Sequence, residues 1–247
     1  MFVQKTKHFF LTKIRLTTYF WMFFVLYLVL SMTLPSFEFT AAALTLFSVN
    51  SFLYGFYIAP ILSAQKSRVE DLHKIVRSEA NALFSLVLHL KKLPPHLRNT
   101  LQAMVTDYMK AKLRNQRSDN GGEKEYEALI TYTIEYKGQH QPEMDKTLDA
   151  LIANQQNRTN FSMQADNKVF ANEWQIMAIL FSITLGFILC IDIADTPLLN
   201  IIRALLCTGL TMLIVILIKL NTLTHKKAKQ MWDPFKKLVS TNFYRID

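Results

Sequence analysis

The sequence predicts an all-α integral membrane protein with four transmembrane helices and a cytoplasmic helical domain. Three observations lead there. Apolar residues make up 51% of the 247, and they bunch into one block near each end around a polar middle. The formal net charge is +9, and the basic surplus lies beside those blocks. The polar middle carries its own apolar residues at helical spacing.

The first span covers residues 16–34, which hold Tyr19, Phe20, Trp21, Phe23 and Phe24, no charge beyond the flanking Arg15, and end at Pro35. A bilayer core of about 30 Å needs roughly 20 helical residues, and this run suffices. A secretory signal is the rival reading, since a basic segment precedes the run and Thr40-Ala41-Ala42-Ala43 resembles a cleavage site. The apolar core exceeds the usual signal length of about 7–15 residues and another apolar run follows at once, which favours a retained span.

The second span, 39–62, is richer in polar side chains: Ser48, Asn50 and Ser51 lie inside it. Polar groups facing lipid are costly, so these residues are expected to face other helices or a water-filled cavity. Joining helices together would be use enough for them. The third and fourth spans, 174–191 and 198–220, are separated by the acidic turn Asp192-Ile193-Ala194-Asp195-Thr196-Pro197. Arg203, early in the fourth, is close enough to a surface to snorkel, with an outer vestibule as the other option. Cys190 and Cys207 fall in apolar runs without metal or redox spacing and read as small hydrophobes.

Charge sets the orientation. Lys5, Lys7, Lys13 and Arg15 precede the first span, and Lys219, Lys226, Lys227, Lys229, Lys236 and Lys237 end or follow the last. Both turns expected outside are acidic. The positive-inside rule therefore puts both termini and the middle segment in the cytoplasm of a multi-pass protein of the plasma or inner membrane. The expected division is 1–62 for the basic segment and spans one and two, 63–173 for the cytoplasmic domain, 174–220 for spans three and four, and 221–247 for a basic tail.

In the middle, Val69, Leu72, Val76, Ala80, Leu83, Val87 and Leu90 form one helical stripe over 65–93. Pro94-Pro95 stops that helix and starts a second, with Leu97, Leu101, Met104, Val105 and Tyr108, reaching about Arg117. Asn120-Gly121-Gly122 makes a loop. A shorter helix carries Tyr126, Leu129, Ile130 and Thr133 as far as Gly138, and a longer one runs from Pro142 past Leu148, Leu151 and Ile152. Single-striped helices are unstable alone and must pack together or against other copies.

Catalytic and cofactor chemistry find no foothold. His73, His89, His96 and His140 lack metal-ligand spacing, and there is no phosphate loop, nucleophile elbow or His-Glu-x-x-His pattern. Glu70, Asp71, Glu79 and Glu127 are interspersed with Lys and Arg and read as a solvated helix face. No cofactor, metal or enzyme activity is expected. No nucleic-acid motif accompanies the basic residues, so nucleic acid is not an expected partner.

The stretch Ser51-Phe52-Leu53-Tyr54-Gly55-Phe56-Tyr57-Ile58 resembles the second transmembrane helix of bestrophins, which carries Ser-Phe-x-x-Gly-Phe-Tyr-Val. The span layout is also similar, closest to the bacterial four-span bestrophin-like group of unknown function, and Asp233-Pro234-Phe235 resembles the family's Asn-Pro-Phe. Bestrophins are pentameric chloride channels whose second helices line a narrow apolar neck. The resemblance implies an anion channel with Phe52 and Phe56 in the neck, Ser48 one turn earlier, and the bilayer, further copies of the chain and small anions as partners. Positions 48, 52 and 56 do share one slanting helix face. Gly55 would allow close helix approach, with Asn50 and Ser51 as packing residues. Two departures stand out. Ser63-Ala64-Gln65-Lys66 does not match the family's aromatic and arginine residues, and Lys236-Lys237 replaces the acidic calcium-binding run of animal members, so calcium gating is not expected.

A phenylalanine stripe also serves ordinary packing. The competing expectation is a non-conducting membrane anchor or sensor whose cytoplasmic helices bind a partner. The basic surface would either concentrate anions near the membrane or bind anionic head groups.

Overall fold

A computed structural model describes residues 14–115, 121–192, 197–225 and 230–240. Lys5, Lys7, Lys13, Arg117, Asn120, Asp195, Lys226, Lys227 and Lys229 lie outside the described residues. Among those described, all regular structure is helical: α1 (Leu16–Thr33), α2 (Ala41–Leu90), α3 (Pro95–Arg114), α4 (Glu123–Glu135), α5 (Gln141–Asp166), α6 (Ala171–Cys190), α7 (Pro197–Asn221) and α8 (Asp233–Ser240). Four stretches are long and apolar enough to cross a membrane: Leu16–Thr33, Ala41–Leu90, Gln141–Cys190 and Pro197–Asn221.

The domain boundary expected at residues 62–63 falls within a continuous helix. The second span and the first cytoplasmic helix are one 50-residue helix, α2. Residues 63–66 contain no breaker. Pro60 removes one backbone donor, a loss membrane helices commonly absorb.

The chain divides into two compact units, Met1–Ser67 with Lys168–Lys226, and Arg68–Asn167 with Lys227–Asp247. In the first, α1 packs along α7, joined by a hydrogen bond of 2.7 Å between the Tyr27 and Thr211 hydroxyls. Tyr27, Leu189, Ala204 and Cys207 form one core cluster; Tyr54, Ile58, Val169, Met177 and Leu217 form another. The α1–α2 and α6–α7 connections are clipped together where Phe37 N–H donates to Cys190 O (2.8 Å) and Asp192 N–H to Phe37 O (3.0 Å). Phe187 stacks between Phe39 and Phe47, its ring centre 4.1 and 4.7 Å from theirs.

Arg203 does not snorkel. It is buried, and its Nη2 donates to Ile191 O at 2.7 Å. Ile191 is the residue that ends α6, where unpaired carbonyls and the negative end of the helix dipole favour a cation. At the other end of α7, buried Lys219 donates to Ile14 O at 2.7 Å and lies 5.0 Å over the Tyr19 ring.

In the second unit all seven stripe positions from Val69 to Leu90 are buried, as are Leu97, Leu101, Val105 and Tyr108 of α3 and Tyr126, Leu129 and Thr133 of α4. On α5, Leu151 is buried while Ile152 is exposed. Gly122 caps α4 with φ +80°, and a Cβ there would sit 2.9 Å from the Tyr108 ring. Glycine meets both demands. Among the tail residues, Met231, Trp232 and Phe235 are buried, with Trp232 edge-on to Phe161 at 5.6 Å.

Candidate functional site

The membrane-length half of α2 has two unlike faces. One face is fastened within the first unit. Tyr54 and Ile58 are buried, and Tyr54 Oη donates to Leu210 O of α7 at 3.4 Å. Asn50 Nδ2 donates to Leu180 O (3.2 Å) and Thr184 Oγ1 (2.8 Å) of α6. The Thr184 hydroxyl itself donates to Leu180 O at 2.8 Å, so its lone pairs are free to receive the amide.

The opposite face is open. Phe52 and Phe56 are 70% and 71% exposed, their rings stacked at 6.0 Å between centres and 19° between planes. Ser48 is exposed in line with them, its hydroxyl turned onto Leu44 O at 3.0 Å. A Cβ added at Gly55 would meet nothing within 4 Å among the described residues, so no described helix of the same chain approaches that glycine closely. Ser51 Oγ is buried with no hydrogen-bond partner among the described residues. Asn50 therefore joins helices, and Ser48, Phe52 and Phe56 share a surface that the described residues of the chain leave uncovered.

A second concentration of chemistry lies in the other unit, where sequence reasoning missed it. Glu79 is wholly buried, not part of a solvated face. Its Oε1 accepts a hydrogen bond from Tyr108 Oη and lies 3.4 Å from buried Lys112 Nζ. Arg158, also buried, pairs with Glu123 at 3.2 Å and lies 4.1 Å over the Tyr126 ring. Tyr126 Oη donates to Leu151 O at 2.7 Å and accepts from Asn154 at 3.2 Å. Burial pushes Lys112 below its ordinary value against the pull of Glu79. Burial and then the Glu79 charge hold the Tyr108 phenol well above its own. The signal was there: Glu79 is three residues after Val76 and four before Leu83, inside the apolar stripe. Glu70 and Glu127 are on the surface and Asp71 is half-buried.

Among the described residues no group of three or more His, Cys, Asp or Glu is placed to hold a metal ion. These features define a helical protein with membrane-length apolar helices and an exposed aromatic ladder on α2. The model of the bestrophin-like domain matches residues 17–240, and the chain belongs to the bestrophin-like family. Bestrophins are often anion channels. No curated protein and no solved structure matches.

Proposed function

We propose that the chain is the subunit of a homo-oligomeric membrane channel for small anions, chloride foremost, with Ser48, Phe52 and Phe56 lining its neck. The observation that carries this reading is the two-faced α2: one face is fastened by Asn50, Tyr54 and Ile58, while the stacked phenylalanines stand exposed on the other. Copies arranged around an axis would turn that ladder into rings. An apolar ring gates by dewetting, and the positive edges of aromatic rings suit a passing anion. The exposed apolar faces of α1, α6 and α7, which include Trp21, Val25, Ile179, Ile183 and Leu206, suit contact with lipid. Both termini lie in the cytoplasm in this reading, in a plasma or inner membrane.

Halide flux into liposomes holding the purified protein tests it. Wild type should conduct, and Phe52→Ala with Phe56→Ala should raise the flux or reorder halide preference. Protein that is silent in both forms sinks the reading. A non-conducting anchor or sensor is the second reading, favoured by Ile134, Ile152 and Met163, large apolar side chains left exposed on the second unit. It expects a monomer or dimer in detergent and no flux.

A further inference from the structure

We infer that Asn50, with its acceptor Thr184, is a positioning residue that sets the rotation of α2 about its own axis and so decides which side chains form the neck. The inference rests on the channel reading above.

The need for such a pin follows from the helix itself. In lipid there is no hydrophobic penalty for exchanging one apolar face for another, so apolar surface alone does not fix the azimuth of a helix. α2 is apolar nearly all round here, with Phe47, Val49, Phe52, Leu53, Phe56 and Ile58 spread over its circumference. Directional bonds add to the packing of Tyr54 and Ile58 in distinguishing one rotation from another. Asn50 supplies two, to Leu180 O and Thr184 Oγ1, and Tyr54 adds one to Leu210 O. At about 100° per residue, Ser48, Phe52 and Phe56 lie roughly 160–240° around the axis from Asn50, on the far side of the helix. Fixing Asn50 against α6 therefore aims the ladder outward from the first unit. A turn of one residue would replace it with Val49 and Leu53. That change would break these bonds and also lift the buried Tyr54 and Ile58 out of their core cluster.

The experiment combines labelling with flux. Single cysteines at 49, 52, 53 and 56 are placed in a Cys190→Ala/Cys207→Ala background and treated with a membrane-impermeant thiol reagent in liposomes. In the parent, 52 and 56 should react and 49 and 53 should not; if 52 and 56 are inert, the neck reading itself fails. Thr184→Val is then added, which keeps side-chain shape and removes the hydroxyl that receives Asn50. The preference for 52 over 53 should fall several-fold, halide flux should change with it, and Thr184→Ser should restore both. Asn50→Leu, which removes both bonds, should do more, about tenfold. An unchanged labelling pattern and flux in Thr184→Val overturns the positioning role while leaving the neck standing.

Discussion

Removing one partner of a buried ion pair costs more than removing both, because the survivor is left desolvated and unpaired. Glu79 meets that condition: it has no exposure, and Lys112 is its only cationic partner among the described residues. Lys112→Met should lower stability by about 3–5 kcal/mol. Adding Glu79→Gln should recover a large part, read from thermal unfolding by near-ultraviolet circular dichroism in detergent. Equal losses in the single and double variants would show that the pair carries no special cost. The tyrosines beside it give a pH prediction. Burial raises Tyr126 from 10.0 to about 12, and Tyr108 is raised in the same direction. A raised folded value means that the stabilisation is complete below pH 10 and is lost as pH climbs through the folded value. The melting temperature should therefore fall between pH 10 and about pH 12. Tyr126→Phe should flatten part of that slope, and an identical slope in the variant would refute the assignment. Residue identity was the hardest level to read in advance. The nearby Lys and Arg suggested solvent for Glu79, although its spacing from Val76 and Leu83 is also that of the stripe, and only packing decides between them.

Whole elements were easier to read, because helical periodicity is a property of many residues at once. The stripe from Val69 to Leu90 and the Pro94-Pro95 break foretold α2 and α3 closely. The continuity of α2 was not legible, since a drop in hydropathy looks like a boundary whether or not the backbone bends. The tail helix α8 escaped for another reason. At 8 residues it is too short for a periodic signal, and it stands by docking, not by propensity. Its one local cue was Asp233-Pro234, an acidic residue and a proline in the first turn. The exposed Lys236–Asp233 pair, at 3.0 Å, adds little to it. Phe235 is the anchor, wholly buried, beside Trp232 at 5.8 Å. Phe235→Ala should cost about 3–5 kcal/mol of local docking energy. Limited proteolysis should then clip the chain near residue 235 while the helices α1 to α7 survive. A tail as resistant as wild type would mean that α8 is held by something other than this ring.

Taken as a whole molecule, one copy leaves large apolar side chains exposed among the described residues, and the proposed assembly would cover part of them. On α2 alone Leu44, Val49, Phe52, Leu53 and Phe56 are exposed, and Phe52 and Phe56 stand on the far side of the helix from Asn50. Lipid would cover such a face adequately if it were uniformly apolar. Here the face also carries Ser48 and the open backbone at Gly55, features that suit helix approach or water better than acyl chains. The resemblance to bestrophins made a pentamer legible as an expectation, but nothing in one chain's packing counts copies. A cross-linking experiment counts them. In the Cys190→Ala/Cys207→Ala background, Phe56→Cys would put one thiol per subunit on the axis. A short bifunctional thiol reagent then joins chains in pairs. A ring with an odd number of subunits leaves one thiol without a mate, so a monomer band persists however much reagent is added. An even ring is consumed entirely into dimers, and a ladder lying against lipid gives no cross-link. The expected result is dimers with a persistent monomer remainder, seen together with a single oligomeric peak in detergent. Complete conversion would exclude the pentamer while keeping the axial ladder. No cross-link, from a protein that still migrates as an oligomer, would move the interface to another face and take the neck with it.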